Sequence, residues 1–233
     1  MEYSEAALWM QQECMKELAV LIEISYDEIG NHIVRTQYFI KLLAYKLLEQ
    51  GYYQDELSED TIDWIAKSAL VHDIGKAGLP SAILRKPGKL TKEEYDIVKT
   101  HTTLGLQIIN HMEQKHQLSQ FSFIRYAKEV AYYHHEWWNG EGYPLGVKEL
   151  QIPLAARLMA LADVYDALMS KRVYKDAFSH EFARNIIVQN AGIQFDPLLV
   201  DMFLQVEDQF QEIFHQYKDD AKQFKKPFVD FVV

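Results

Sequence analysis

The sequence predicts an all-α fold, a single multi-helix domain. Three observations carry the helical reading. Apolar residues recur at helical spacing through most of the 233 residues, no segment alternates convincingly with the two-residue period of a strand, and capping signals punctuate the helical stretches. In chain order, residues 3–24 are rich in helix formers, with Trp9, Met10, Leu18, Leu21 and Ile22 at rough helical spacing. They are expected to form a core helix, their heptad register being too imperfect to favour a signalling coiled coil; residues 1–24 could also link to a regulatory domain, with residues 25–233 as the main domain. A second helix is expected over residues 31–50 from Ile33, Phe39, Leu43 and Leu47, with Gly51 just past its end, where a left-handed residue commonly stops a helix. Ser58 is suited to cap a third helix running through Ile62, Ile65 and Leu70 to His72-Asp73. Gly75, Gly78, Pro80, Pro87 and Gly88 mark a long irregular segment. Thr91-Lys92-Glu93-Glu94 reads as a capping box that starts a helix leading toward His101. Helical patterns follow at 105–112 and 121–133, then a loop with Gly140, Gly142, Pro144 and Gly146, then a helix over 154–169. Asp196-Pro197 pairs an N-cap with a proline at the first helical position and opens a last helix through Phe203 and Phe210.

Bulk composition narrows the function. A net charge of −10 argues against a general DNA- or RNA-binding face. It leaves room for a small anionic substrate, because bound divalent ions and a few placed Lys or Arg residues dominate a local field. Cys14 is the single cysteine, so no intrachain disulfide is possible, which fits a reducing cytoplasm. The apolar runs fall far short of the roughly 18 residues of a membrane span. The start, with Glu2, Glu5 and Glu13, lacks the basic region of a secretory signal. The expectation is a cytoplasmic protein with no membrane segment in this chain.

The residues that carry chemistry are acids and histidines in apolar surroundings. Glu28 and His32 are four apart and share a face if a helix has begun by Glu28; such a pair can hold an ion or simply make a surface contact. His72-Asp73 follows apolar Ala69, Leu70 and Val71, so its carboxylate needs a metal, a cation or hydrogen bonds in compensation. On a helix, adjacent side chains diverge by about 100°, so one carboxylate could bridge two ions while the histidine serves one. His134-His135 follows Val130, Ala131 and Tyr133 and suits a multinuclear site, or a polar helix end. Asp163 stands in the apolar stretch from Leu158 to Val164, where an unpartnered carboxylate is costly, favouring a ligand or an ion pair. His101 completes the set, although by itself it reads better as a helix-surface histidine. His111, His116, His180 and His215 lack such context and read as surface or packing residues.

In order, His72-Asp73-Ile74-Gly75-Lys76, His134-His135-Glu136 and Asn139-Gly140-Glu141-Gly142-Tyr143-Pro144 resemble the HD-GYP family of bacterial cyclic di-GMP phosphodiesterases. Gly30-Asn31-His32, Lys86-Pro87-Gly88-Lys89-Leu90-Thr91, the run Ala162-Asp163-Val164-Tyr165-Asp166-Ala167-Leu168 and Phe195-Asp196-Pro197 extend the likeness over residues 27–197. The resemblance implies Glu28, His32, His72, Asp73, His101, His134, His135 and Asp163 as ligands of two or three divalent ions, with Asp73 bridging. Glu28 favours three, and all-N/O ligation suits iron or manganese, with zinc and nickel still open. It implies Asp73 and Lys76 as catalytic residues, Lys76, Arg172 and Lys175 on the phosphates, and Tyr143 on the substrate, with Trp137 and Trp138 either stacking on guanine or packing the loop. The implied reaction is metal-assisted hydrolysis of cyclic di-GMP to linear pGpG and on to GMP. Another cyclic dinucleotide such as cyclic GMP-AMP, a nucleotide dephosphorylation, or a weakly active binding module are the competing readings. The Gly-Tyr-Pro loop would also meet a diguanylate cyclase domain. Two departures, Asn139 where Asp is common and Val173 in place of proline, touch loop detail and no implied ligand.

Overall fold

A computed structural model of the chain describes residues 31–116, 118–119, 122–170 and 177–218. The expected first helix, Glu28, Gly30, Arg172, Val173 and Lys175 lie outside the described residues. The described part is helical, and its one β-type pairing is an isolated bridge between Ala191 and Phe195.

Helix α1 (His32–Glu49) buries Ile33, Phe39, Ile40, Leu43 and Leu47 along one stripe and ends before Gly51, whose φ is +82°. Helix α2 (Glu59–Ser68) begins with the expected Ser58 cap: the Ser58 hydroxyl accepts from the Thr61 amide, and Thr61 accepts from the Ser58 amide. Here the structure corrects the expectation of a helix continuing to His72-Asp73. The α-helix stops at Ser68, and the chain tightens into two 3-10 turns, Ala69–Val71 and Ile74–Gly78, with the His-Asp pair between them. The irregular segment contains one short helix, α3 (Ser81–Leu84). The Thr91–Glu94 capping box opens α4 (Lys92–Lys99), with Glu94 Oε2 accepting from the Thr91 amide at 2.7 Å. His101 does not end this helix; it starts the next, α5 (His101–His116).

Helix α6 (Ser122–Tyr133) follows, then the loop, then α7 (Leu154–Met169), which is buried along most of its length and packs against α1, α6, α8 and α9. Helix α8 (His180–Gln189) was not expected. Its cap, Ser179, is orthodox, but Ala183 and Ile187 are its buried residues, too sparse a stripe to show as a period. Asp196 caps α9 (Pro197–Gln216), with Pro197 at the first helical position. The main core brings Phe39 of α1, Tyr165 of α7 and Phe203 and Phe210 of α9 together, with Phe39 and Phe210 stacked at 4.3 Å. Each such fully buried side chain contributes roughly 1.5–3 kcal/mol. A second cluster of Ile33, Leu70, Val71, Ile109, Ile124, Ala127 and Ala131 packs around the His-Asp turn.

Candidate metal centre

The two 3-10 turns carry Asp73 to the start of α5 because Gly75 lies against it. A Cβ at Gly75 would overlap the carbonyl of His101 and crowd the amide of Gly105. Asp73 itself has φ −103° and ψ 10°, the sparsely populated bridge region common among active-site residues. His32 is the first residue of α1, His101 the first of α5, His134 and His135 follow the end of α6, and Asp163 projects from the middle of α7.

These elements bring all seven of the described ligand candidates together, in two clusters. Asp73, His101, His134 and His135 form one, and His32, His72 and Asp163 the other; within each, the ligand atoms lie within 4.8 Å of one another. Asp73 stands between them. Its Oδ2 is 3.2 Å from His72 Nε2, and its Oδ1 is 3.3 Å from His101 Nε2 and 4.0 Å from His134 Nε2. His32 Nε2 lies 3.6 Å from Asp163 Oδ1.

The histidine tautomers are set by local backbone. Nδ1 of His72 donates to Ala69 O at 2.8 Å, Nδ1 of His101 to Val98 O at 2.7 Å, and Nδ1 of His134 to Val130 O at 2.8 Å. Each therefore turns its Nε2 inward, and in the neutral His101 and His134 that nitrogen is unprotonated. Nε2 of His101 and His134 face each other at 3.4 Å, two lone pairs directed into the same buried space. Among the described residues, His72 Nε2 and Asp73 Oδ1 are buried with no hydrogen-bond partner. Buried polar atoms without partners are costly, and convergent lone pairs beside a carboxylate suit a cation. Imidazole and carboxylate donors of this kind fit divalent transition ions.

The electrostatics agree. Burial holds His101 below the usual imidazole range, His134 well below it and His135 at about 3, so these three are neutral donors. Burial also opposes ionisation of Asp73, yet Lys76 and His72 hold its carboxyl well below the usual range. For His72, burial is outweighed by Asp73 and Asp163, and its pKa rises: this end of the centre attracts positive charge. Lys76 Nζ lies 2.6 Å from Asp73 Oδ2, at the edge of both clusters.

The loop after α6 closes one side. Tyr143 stacks on His135, and its amide donates to His135 O at 3.0 Å. Gly142 is required because a Cβ there would collide with the backbone of His135, Glu136 and Trp137. Burial and the nearby Tyr95 and Asp73 raise the Tyr143 pKa, keeping the phenol protonated. Asn139 Oδ1 accepts from the Glu141 amide at 3.0 Å, a turn an aspartate makes equally well, but Asn139 Nδ2 also donates to Glu141 Oε2 at 2.8 Å, a bond that only the asparagine supplies. Trp138 packs away in the loop's base, its ring 5.9 Å from the Arg157 guanidinium. His111, His116 and His215 are exposed, and His180 bonds the Tyr165 hydroxyl at 2.9 Å.

Three residues with structural parts in the site had no assigned role in the sequence. Glu136 Oε1 accepts from the amides of Leu145 at 2.6 Å and Gly146 at 3.2 Å, tying the loop to the His-His pair. Asp166 accepts from His32 Nδ1 at 2.8 Å and is itself held by Arg35. The signal available was position: Asp166 is one helical turn from Asp163, and Arg35 one turn from His32.

The fold and the site define a helical domain built around two histidine–aspartate clusters whose donors suit divalent ions. The chain belongs to the HD domain family, as an HD-GYP member: the family profile matches residues 25–199. Two Vibrio cholerae relatives are a probable cyclic di-GMP phosphodiesterase, 47% identical over 91% of this chain, and a cyclic di-GMP phosphodiesterase, 48% identical over 88%. The chain spans 48% and 41% of their lengths. The fold is shared with a crystallised cyclic GMP-AMP phosphodiesterase of V. cholerae, with a TM-score of 0.57, 20% identity, and coverage of 89% of this chain and 54% of that one. No helix among the described residues is long and apolar enough to cross a membrane.

Proposed function

We propose that the chain is a metal-dependent phosphodiesterase that hydrolyses cyclic di-GMP to pGpG and onward to GMP. The observation that carries the metal half of this reading is the split carboxylate of Asp73, one oxygen toward each histidine cluster, beside two facing imidazole lone pairs. The substrate half rests on the relatives. Asp73, His101, His134 and His135 would hold one divalent ion, and His32, His72 and Asp163 a second, with iron or manganese the expected metals. Bound ions would supply Lewis acidity toward a phosphate oxygen and toward water.

The chain's own residues do the rest. The backbone bonds at Nδ1 of His72, His101 and His134 hold their Nε2 atoms in place before substrate arrives. Lys76, next to Asp73, offsets charge that develops on the phosphoryl oxygens, aided by Arg172 and Lys175. Tyr143, fixed against His135 by its ring, offers its ring edge to the substrate. Glu28 would add a carboxylate beside His32 for a third ion and the second cleavage. The loop's outer side is the surface for a diguanylate cyclase domain, and the reaction belongs in the cytoplasm.

The test is metal content per chain together with product analysis under anaerobic, ferrous conditions, with cyclic di-GMP and cyclic GMP-AMP offered separately. Two or more ions per chain with release of pGpG and GMP is the expected result. A fully loaded protein that cleaves only cyclic GMP-AMP overturns the substrate, and one that takes up no metal and turns nothing over overturns the reading.

A further inference from the structure

His32 differs from its neighbours in what orients it. The Nδ1 atoms of His72, His101 and His134 bond carbonyls three or four residues back, so those rings are set by their own turns. The partner of His32 is Asp166, 134 residues away on α7, at 2.8 Å. Asp166 is buried and bound by the Arg35 fork, Nε to Oδ1 at 2.5 Å and Nη2 to Oδ2 at 2.9 Å. The same guanidinium donates through Nη1 to the Tyr217 carbonyl at 2.8 Å, at the C-terminal end of α9, and lies 4.9 Å from the Phe214 ring centre. That helix end makes further contacts with the start of α1: Asn31 Nδ2 donates to Lys218 O at 3.2 Å, and Tyr217 stacks on Tyr38 at 5.0 Å and donates its hydroxyl to that of Tyr38 at 3.1 Å.

Resting on the metal reading above, we propose that Arg35 and Asp166 are positioning residues that tie ion affinity at the His32–His72–Asp163 cluster to the seating of the end of α9. The Asp73–His101–His134–His135 cluster lies outside that linkage, because its ring orientations come from local carbonyls and from Tyr143. A carboxylate on the far nitrogen fixes the tautomer of a ligating histidine and raises its basicity, and loss of such a partner typically costs about 10–100-fold in metal affinity. Linkage is reciprocal: if seating α9 favours the ion, the ion favours seating α9.

The experiment titrates the metal-free full chain with Mn2+, reading free ion by electron paramagnetic resonance, for wild type, Asp166→Asn and Arg35→Lys, with circular dichroism as the check on folding. Asparagine keeps the shape of Asp166 without its charge, and lysine keeps the charge of Arg35 without the fork that spans Asp166 and Tyr217. The expected result is one ion weakened by about tenfold or more in both variants, the other within about twofold of wild type. Asp163→Ala identifies the weakened ion as the one at His32. Hydrogen exchange at the Tyr217 and Lys218 amides is expected to slow on Mn2+ binding in wild type and not in Arg35→Lys. Should Arg35→Lys fail to fold, Asp166→Asn decides. Parallel weakening of both ions, or of neither, overturns the linkage alone, whereas a wild-type chain that takes up no manganese overturns the metal reading with it.

Discussion

The Tyr143 ring stacks on the His135 imidazole, with 4.8 Å between centroids and 29° between planes. The Gly-Tyr-Pro loop therefore touches a candidate ligand directly and does more than frame the entrance. An aromatic pair of this kind contributes about 0.5–1.5 kcal/mol beyond its buried area. Tyr143→Ala removes the stack and the area it buries, and kcat/KM is expected to fall by up to roughly tenfold, the upper end of one such interaction energy. Tyr143→Phe keeps the stack and should stay within roughly threefold of wild type by the same arithmetic. Equal losses in the two variants would move the role from the ring to the hydroxyl.

Asp73 and Asp163 are expected to behave differently despite serving one centre. Asp73 lies between the clusters, with an oxygen toward each, whereas Asp163 belongs to the His32 side. Asp73→Ala should weaken both ions and lower hydrolysis by at least about 10²–10³-fold, the scale of losing one preorganised charge-stabilising group. Asp163→Ala should cost one ion and leave the other. Metal analysis by inductively coupled plasma mass spectrometry after dialysis reads both; a single ion lost in each variant would contradict a shared Asp73.

How far the sequence went depended on where each cost was visible. Asp163, His72 and Asp73 stood out because charge or imidazole nitrogen in an apolar helix must be answered by something nearby. The caps at Ser58, Thr91 and Asp196 were legible because capping is decided within four residues. Asp166 was hidden because its answer is Arg35, 131 residues away, and a sequence does not display that pairing. The break at Ser68 was hidden for a related reason. Residues 69–71 are as apolar as any helix, and the close approach of Gly75 to α5 that accompanies the 3-10 turns is a tertiary contact.

Stability of the metal-free chain should depend on pH in a defined sense. Burial puts His135 at about 3 and lowers His134 and His101, so in the fold they stay neutral where the unfolded chain is protonated. The unfolded state then binds more protons between about pH 3 and pH 6.5, and stability is full above that window and lost as pH falls through it. Asp166, lowered to about 2 against its burial by Arg35 and His32, adds a loss below the ordinary aspartate range. His72 acts oppositely: its pKa is raised, so its contribution is present at low pH and lost as pH rises through its folded value. With three histidines against one, the melting temperature is expected to rise from about pH 4 to about pH 6.5. A flat or falling profile over that range in calorimetry would show that these imidazoles are not held neutral.

Gly75 offers a way to disturb the centre without touching a ligand. Its backbone sits so close to the first turn of α5 that a methyl group would overlap the His101 carbonyl and the Gly105 amide. Backbone cannot rotate out of the way as a side-chain tip would, so Gly75→Ala must push the Ile74–Gly78 turn off α5. Overpacking of this kind costs about 1–3 kcal/mol, which for a domain of this size lowers the melting temperature by roughly 2–4 °C per kcal/mol. The displacement also separates Asp73 from His101, which are 3.3 Å apart across that contact. Metal affinity is therefore expected to fall most at the Asp73–His101–His134–His135 cluster, the reverse of the pattern expected for Asp166→Asn. Gly105→Ala is the control: a Cβ there meets its nearest atom, the Ala131 methyl, at 3.4 Å, a contact that small shifts relieve. If Gly75→Ala loses stability but binds both ions as wild type does, the approach to α5 supports the fold and not the geometry of the centre.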